Sequence, residues 1–565
     1  MCNKLVIVGG VAGGATAAVR ARRLSEDAEI IVIERGPDVS FANCGLPYHI
    51  GGEIRQRKAL LVQTPEGLQS RFNLDVRTRH EVVAIDRTSK RVRVRELAAG
   101  REYDETYDYL LLSPGAVPVR PPIAGVDHPA IFTLRSMQDM DRIKARLEAG
   151  ARSALVVGGG FIGLEMAENL RRRGLDVALV ELLPQVMPTF DPEIAARLHQ
   201  ELSAQRVHLH LEDAVTEFSD ANGRVHARLR SGTAVDADLA LLSVGIRPDT
   251  ALARAAGLTL GERGALVVDE RMRTSDPFIY AVGDAVQVRD PVLGGSVLVP
   301  LAGPANRQAR VAVDNIFGRP TRYRGSQGTS IVRVFNVTAG MTGATEKALQ
   351  RRGVPYKKIY VHRGQHAGYY PGVQSMMIKL LFTPDDGRVL GAQIVGGEGV
   401  DKRIDVLAVA LQARMTVADL AEVELAYAPQ YGAAKDPVNI AGFVAQNALM
   451  GDEEFLYAED LNDETRDQWT IIDVREPAEY AAGHVPGARL MPLGELRQRW
   501  QELPPDKPIV TYCGVGQRAY YANRILRQKG LRPLNLAGGF TTYSLVYAPK
   551  PLARPEPCES SAART

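Results

Sequence analysis

Cysteine is scarce in this sequence. Its 565 residues hold only Cys2, Cys44, Cys513 and Cys558, and no two of them form a C-x-x-C. That excludes a disulfide framework and a thiolate zinc site, and no metal is expected. Long apolar runs are missing too. No uncharged stretch approaches the roughly 20 residues that span a bilayer, so no membrane association is expected. The apolar segment between Lys4 and Arg20 is broken by a glycine cluster and reads as strand, turn and helix rather than as a signal peptide. An excess of charge of one sign is also lacking: 69 Lys+Arg face 66 Asp+Glu, a net of +3, which argues against a nucleic-acid partner. The "RRR" at 171–173 reads as a solvated helix face. A cytoplasmic chain follows, with thiols kept reduced unless they work; Cys2 and Cys558, near the ends, read as inert.

What is present points to several α/β domains. The length exceeds one compact core, and about three to five domains are expected. The first unit is "KLVIVGGVAGGATAAVRARRLSEDAEIIVIERG". Leu5 to Val8 reads as a buried parallel strand, Gly9, Gly13 and Gly14 as a turn, and residues 13–24 as a helix. A second strand, Ile30 to Ile33, ends at Glu34. Amides at such a helix start hold a pyrophosphate, and the acid hydrogen-bonds a ribose. Val11 stands at the second glycine place, so this match to G-x-G-x-x-G is loose. The second unit is tighter. "VVGGGFIGLEMAENL" puts Gly158, Gly160 and Gly163 in full register after the strand Ala154 to Val157. A strand from Asp176 to Val180 ends at Glu181, 18 residues after Gly163. An acid there accepts from a ribose 2′-OH and repels a 2′-phosphate, which favours NADH over NADPH. Two similar strand-then-glycine segments, 107–118 and 237–250, are of the sort that carry a chain between domains. In "FIYAVGDA" (278–285) a strand runs into Gly283 and Asp284.

This order of motifs resembles the pyridine nucleotide–disulfide oxidoreductases over about residues 1 to 445. The resemblance implies two Rossmann-like domains, one for FAD and one for NAD(P)H, followed by an α+β dimerisation domain. The implied boundaries are 1–115 and 246–325 for a split FAD domain, 116–245 for NAD(P)H and 326–447 for dimerisation. Flavin contacts would fall on Gly9, Gly14, Glu34, Ser113, Gly115 and Asp284, and the nicotinamide cofactor on Gly158, Gly160, Gly163 and Glu181.

Most enzymes of that family use a cysteine pair beside the flavin; here Cys44 stands alone in "SFANCGLPYHIGG". A lone cysteine must form a sulfenic acid or a mixed disulfide with an external thiol. The segment resembles coenzyme A-disulfide reductases and CoA-persulfide reductases. NADH oxidases and peroxidases typically carry leucine and serine where Ala42 and Asn43 stand. "YYPG" (369–372), "GVDKRIDVLA" (399–408) and "AYAPQYGAAKDPVNIAGF" (426–443) extend the match, with Gln430, Tyr431 and Gly432 departing from the usual proline–phenylalanine–serine. By position, the resemblance implies Cys44 as nucleophile and Thr16, Arg20, Arg23, Ser40, Asn43, Asn306 and Lys435 as CoA contacts. It also implies Tyr427 of the partner subunit beside the flavin, and Tyr369 or Tyr370 near the reacting sulfur. Arg20 and Arg23 are three apart and share a helix face, and arginines suit phosphate oxygens.

Composition shifts after "AQNALMGDEEF" (445–455). A charged stretch reads as a linker, assigned to 448–462, and a small α/β domain follows over 463–550. There the strand Ile509 to Tyr512 runs into Cys513–Gly514–Val515–Gly516–Gln517–Arg518 and a helix. Glycine amides and a helix N-terminus surrounding one sulfur stabilise a thiolate or persulfide, with Arg518 assisting. The loop and "DVREPAEYAAGHVPGA" resemble rhodaneses, which carry a sulfane sulfur on the cysteine; the C-x₅-R cradle of protein phosphatases is one residue longer. The Pro/Ala/Ser-rich end, 551–565, reads as disordered.

Taken together, the resemblances imply a homodimeric flavin-dependent NAD(P)H:CoA-persulfide or polysulfide reductase. Hydride passes to FAD and then to sulfur bound at Cys44, while Cys513 transfers sulfane sulfur from an inorganic or CoA-linked substrate. Three alternatives stay open: a CoA-disulfide reductase, an NADH oxidase or peroxidase working through a Cys44 sulfenic acid, and a sulfur carrier or redox sensor that does not turn over.

Overall fold

The computed structural model describes residues 2–504 and 506–547; the expected tail at 551–565, with Cys558, lies outside the described residues. The chain forms two compact units, Met1–Pro184 with His210–Thr329, and Gln185–Leu209 with Ser330–Thr565. Among the described residues no helix is long and apolar enough to cross a membrane.

The first unit is built on two parallel sheets. In the first, Lys4–Val8 lies between Glu29–Glu34 and Tyr109–Leu112, and Ile279–Ala281 and Asp75–Thr78 form the two edges. Leu5, Val6 and Ile7 are fully buried, as a strand covered on both faces requires. The edge strand Ile279–Ala281 arrives only after the whole second sheet has been made, so this domain is split in sequence and continuous in space. In the second sheet, Ser153–Val157 sits between Asp176–Val180 and Leu239–Leu242, with Ile131–Phe132 at one edge and Val207–His210 at the other, where the chain returns to the unit. The two strand-then-glycine segments meet: Ala116–Pro118 pairs antiparallel with Ile246–Pro248. The chain therefore leaves and re-enters the split domain side by side.

The second unit holds a five-stranded antiparallel sheet, in the order Ser330–Val334, Val337–Gly343, Val389–Gly396, Ser375–Phe382, Lys357–Gly364. It also holds a five-stranded parallel sheet in the order Phe455–Leu456, Leu534–Leu536, Ile509–Tyr512, Thr470–Asp473, Arg489–Leu490. Two features differ from the sequence expectation. Phe455–Leu456 is a strand inside the stretch read as linker; two residues carry no readable alternation, and the charges around them read as a linker. Those charges are instead paired, Asp452 with Arg524 and Glu454 with Arg527. Residues 185–209, expected within the NAD(P)H domain, group with the second unit although their last residues enter the strand Val207–His210, and a buried ion cluster at the helix Pro192–Ala204 holds them there.

Lys379 is fully buried, and its ammonium lies 2.9 Å from Asp191, 2.6 Å from Glu193 and 2.5 Å from Glu346. Three carboxylates this close could hold a metal ion; here the lysine supplies the cation. Burial opposes the charge on Lys379, but Glu193, Asp191 and Glu346 outweigh it and raise its pKa. Burial alone would raise Glu346; Lys379 and Lys358 outweigh that and hold it at about 2. Asp191 and Glu193 sit at the start of the helix Pro192–Ala204, so the cluster ties that helix to the antiparallel sheet.

Lys379→Met should leave the buried carboxylates of Asp191 and Glu193 without their ion-pair partner, Lys358 remaining on Glu346, and cost about 3–5 kcal/mol, read as a drop in the urea midpoint. Because Glu346 is depressed, its contribution is fully present above the ordinary carboxylate value near 4.5 and is lost as pH falls toward 2. The wild-type unfolding midpoint should accordingly fall across that acid window, and the variant, in which Lys358 alone still faces Glu346, should show less of this dependence.

Candidate active site

The two glycine turns are built alike. Gly9 has φ +93°, and a Cβ on it would lie 2.2 Å from the Ser113 carbonyl oxygen; a Cβ on Gly14 would lie 1.7 Å from the Gly9 carbonyl oxygen. In the second turn Gly158 has φ +103°, and a Cβ on Gly163 would lie 1.9 Å from its carbonyl oxygen. Only glycine lets helix and strand approach this closely at these positions. Each turn is braced by the acid ending its second strand. The Glu34 carboxylate accepts from Gly10 N and Gly36 N, both at 2.7 Å. Buried Glu181 accepts from Gly159 N at 2.7 Å and Leu183 N at 2.9 Å. A carboxylate has about four acceptor positions, so each acid holds its turn and keeps acceptors for a sugar hydroxyl. Gly160 caps the helix Phe161–Arg172.

Ser113 follows the strand Tyr109–Leu112, and Gly115 (φ +73°) lies against the Arg135 guanidinium, which donates to the Pro114 carbonyl at 3.0 Å. Asp284 is half-buried and has no hydrogen-bond partner among the described residues. Burial raises its pKa, against Arg135. A carboxylate left without a donor in such a place fits a polyol hydroxyl.

Cys44 lies in the short turn Asn43–Gly45 ahead of the helix Leu46–Gly51. The residue is exposed, and its thiol sits 3.7 Å from Asn43 Oδ1, which also accepts from Cys44 N at 3.1 Å. Partial desolvation, then Glu165 and Asp284, push the thiol pKa up. Glu165 was not singled out in the sequence. It lies two residues past Gly163 in the fingerprint helix and accepts from the Tyr48 hydroxyl at 3.2 Å. Burial raises Glu165 to about 7, Glu168 adding to it and the Tyr48 hydrogen bond opposing. The signal was an acid on the apolar face of that helix.

The expected CoA contacts divide. Thr16 donates to Asn306 at 2.8 Å, joining the helices Ala12–Arg22 and Ala302–Ile316. Arg20 is no free cation: it pairs with Asp314 at 2.6 Å, and both side chains are nearly buried. Arg23 is exposed and bonds the Val19 carbonyl of its own helix. Ser40 has φ +47° and donates its amide to the Gly10 carbonyl, tying the segment before Cys44 to the glycine turn. Lys435 is exposed in the second unit. There Tyr369 and Tyr427, both exposed, share a 3.0 Å hydroxyl–hydroxyl hydrogen bond, whereas Tyr370 packs edge-on against His366. The pair singles out Tyr369 as the tyrosine joined to Tyr427.

In the second unit the strand Ile509–Tyr512 delivers Cys513 to the start of the helix Gln517–Arg527. Cys513 Sγ accepts from Gly516 N at 3.2 Å. Arg518 is clamped by Glu479 through bonds of 2.7 and 2.6 Å. Its guanidinium holds Glu479 down at about 2. Behind the loop, Phe540 N and Thr541 N donate to the carbonyls of Cys513 and Gly514. A Cβ on Gly539 would lie 2.4 Å from the Cys513 carbonyl, so the helix Gly539–Tyr547 presses directly on it.

The family model "Pyridine nucleotide-disulphide oxidoreductase" matches residues 3–313, and its dimerisation domain matches 329–436. The chain belongs to the pyridine nucleotide-disulphide oxidoreductases. A rhodanese-like domain model matches 457–545. Coenzyme A disulfide reductase of Staphylococcus haemolyticus is 36% identical over 447 residues, 79% of this chain and 100% of that protein. Reduced Bacillus anthracis CoADR-RHD has a TM-score of 0.94 at 47% identity, covering 96% of this chain and 98% of that one. A NAD-dependent persulfide reductase from A. fulgidus gives 0.90 at 37%, covering 95% and 99%. As in that oxidoreductase family, two Rossmann-like domains precede a dimerisation domain, and the rhodanese-like domain follows. The family uses FAD and NAD(P)H, and the two braced glycine turns and the unpartnered Asp284 fit such dinucleotides.

Glu165→Gln should lower the Cys44 pKa and speed its alkylation by iodoacetamide at pH 8 about two- to fivefold, followed by mass spectrometry of the Cys44 peptide. An unchanged rate would remove Glu165 from the thiol's surroundings.

Proposed function

We propose that the chain is a flavin-dependent NAD(P)H:CoA-persulfide or polysulfide reductase with a sulfur-transferring rhodanese domain. One observation carries the reading. A lone exposed thiol beside a dinucleotide turn and an amide-cradled thiol in a rhodanese loop share one chain. The first suits reduction through an external thiol; the second suits carriage of sulfane sulfur.

Gly9, Gly14, Glu34, Ser113, Gly115 and Asp284 would hold FAD, and Gly158, Gly160, Gly163 and Glu181 would hold NAD(P)H, which together would supply two electrons as hydride. Glu181 disfavours a 2′-phosphate, so NADH is the proposed donor. Cys44 thiolate attacks the outer sulfur of a CoA persulfide. A Cys44–S bond forms, the S–S bond to CoA breaks, and CoA thiolate leaves. Two electrons then cleave the Cys44 persulfide to the thiolate and HS⁻. The Tyr369–Tyr427 hydroxyl pair is a proton source for the departing thiolate. Thr16, Asn306, Ser40, Asn43, Arg23 and Lys435 are proposed to hold CoA, with Arg20 positioned by Asp314. Cys513, with Arg518 set by Glu479, passes sulfane sulfur to or from the CoA thiol. The dimerisation domain supports a homodimer in which Tyr427 of the partner subunit serves the flavin, and a cytoplasmic site is proposed with it.

A second reading has specific support. The S. haemolyticus relative is matched over its whole length by 79% of this chain, and its name gives CoA disulfide as what it reduces. CoA disulfide is therefore a competing substrate at the same Cys44.

NADH oxidation should be followed without oxygen, with CoA persulfide and separately with CoA disulfide. The persulfide should turn over faster, Cys44→Ser should reduce neither, and Cys513→Ser should fail only when sulfur is offered as polysulfide. Faster turnover of the disulfide would move the assignment to the second reading. Oxidation only after oxygen is admitted would sink both.

A further inference from the structure

The loop that cradles Cys513 is gripped from behind by an acid of the joining segment. Glu453 follows the helix Pro437–Met450, and its amide donates to the Asn447 carbonyl of that helix. Its side chain turns the other way and is 3% exposed. Glu453 Oε1 accepts from Asn535 Nδ2 at 2.5 Å. The same Asn535 nitrogen donates to the Gly516 carbonyl at 3.0 Å. Gly516, at φ +95°, is the residue whose N–H reaches Cys513 Sγ at 3.2 Å. Four groups thus form one line, from carboxylate to side-chain amide to glycine to sulfur.

We infer that Glu453 is a positioning residue for sulfur transfer, holding Gly516, and through it the Cys513 sulfur, by way of Asn535. The inference rests on the reading of Cys513 as the sulfur carrier.

The arrangement is switchable by one proton. An ionised Glu453 accepts, so Asn535 must present its nitrogen to both Glu453 and Gly516, leaving Asn535 Oδ1 buried without a partner. A protonated Glu453 has an O–H to donate, and that unpartnered oxygen is the acceptor. Turning the amide to take it withdraws the donor from the Gly516 carbonyl. Burial pushes Glu453 up to about 7, with the Asn535 hydrogen bond and then the Arg527 and Arg524 charges opposing. Those two arginines lie on the sulfur-loop helix and are paired with Glu454 and Asp452. The grip is accordingly complete above neutral pH and released below it.

The test uses the full-length flavin-loaded protein with Cys44→Ser. Alkylation of Cys513 by iodoacetamide is followed by peptide mass spectrometry across about pH 5.5 to 9. The wild-type loop should show two inflections, the thiol's own and one near neutrality. Glu453→Gln keeps an acceptor oxygen but cannot titrate. It should show the thiol inflection alone, with a rate at low pH roughly three- to tenfold above wild type, the size of one lost buried hydrogen bond. Glu453→Ala should be slow throughout, so that glutamine rescues what alanine loses. A single inflection in the wild-type loop overturns the inference without any variant, and two inflections in Glu453→Gln overturn it as well. Sulfur transfer from thiosulfate to cyanide by wild type and Cys513→Ser is measured beside it. Transfer that survives Cys513→Ser removes the sulfur-carrier reading, and the proposed role of Glu453 in sulfur transfer with it. The alkylation profile still decides the proton-dependent grip on the loop.

Discussion

Three parallel strands in this chain end the same way: the backbone turns into a helix with an amide pointed back at an acceptor from its own chain. Gly10 N meets Glu34, Gly159 N meets Glu181, and Gly516 N meets the Cys513 sulfur. Unpaired amides at a helix start favour negative charge. In the first two turns the charge is a built-in carboxylate that fixes the turn and leaves the remaining amides for a pyrophosphate. In the third the acceptor is the Cys513 sulfur itself. The rest of the molecule holds these turns still, through close contacts that no side chain beyond glycine allows and through buried pairs that anchor the flanking elements.

The two cysteines are set apart by surroundings more than by exposure. Cys44 stands where desolvation, Glu165 and Asp284 oppose a thiolate, and Asn43 is the polar group that reaches its sulfur. Cys513 is buried yet receives an amide, with an arginine nearby that Glu479 orients. Cys44 stands among groups that oppose a thiolate; the Cys513 sulfur already has a backbone donor of its own. That difference suits one site that reduces sulfur and another that stores it.

The antiparallel sheet and the rhodanese-like sheet lie in one compact unit, joined by specific contacts. The His362 ring bonds the Thr542 hydroxyl at 2.8 Å, the Tyr457 hydroxyl donates to the Lys358 carbonyl at 3.0 Å, and Lys358 pairs with Glu459. The helix bearing Thr542 is the one whose start packs on the Cys513 carbonyl. The sulfur loop is therefore seated on the neighbouring domain as well as within its own.

Much of this was legible in the sequence. The strand–glycine–helix turns, the Cys513 loop and the order of domains depend on local rules, a period of apolar residues and glycine where φ is positive, and these act between neighbours in the chain. Pairings between distant residues were not legible. That Arg20 pairs with Asp314, that Tyr369 rather than Tyr370 joins Tyr427, and that a buried Lys379 ties the helix Pro192–Ala204 into the second unit all depend on which side chains meet across separate elements. The same holds for Glu453. In the sequence it is one acid in a charged stretch that reads as a linker; burial and a single asparagine make it part of the sulfur loop. The sequence by itself determined where dinucleotides and sulfur could be held, because backbone geometry there is dictated by residues next to one another. Only the tertiary structure decided which charges are free to act, because a charge is free or spent according to what packs against it.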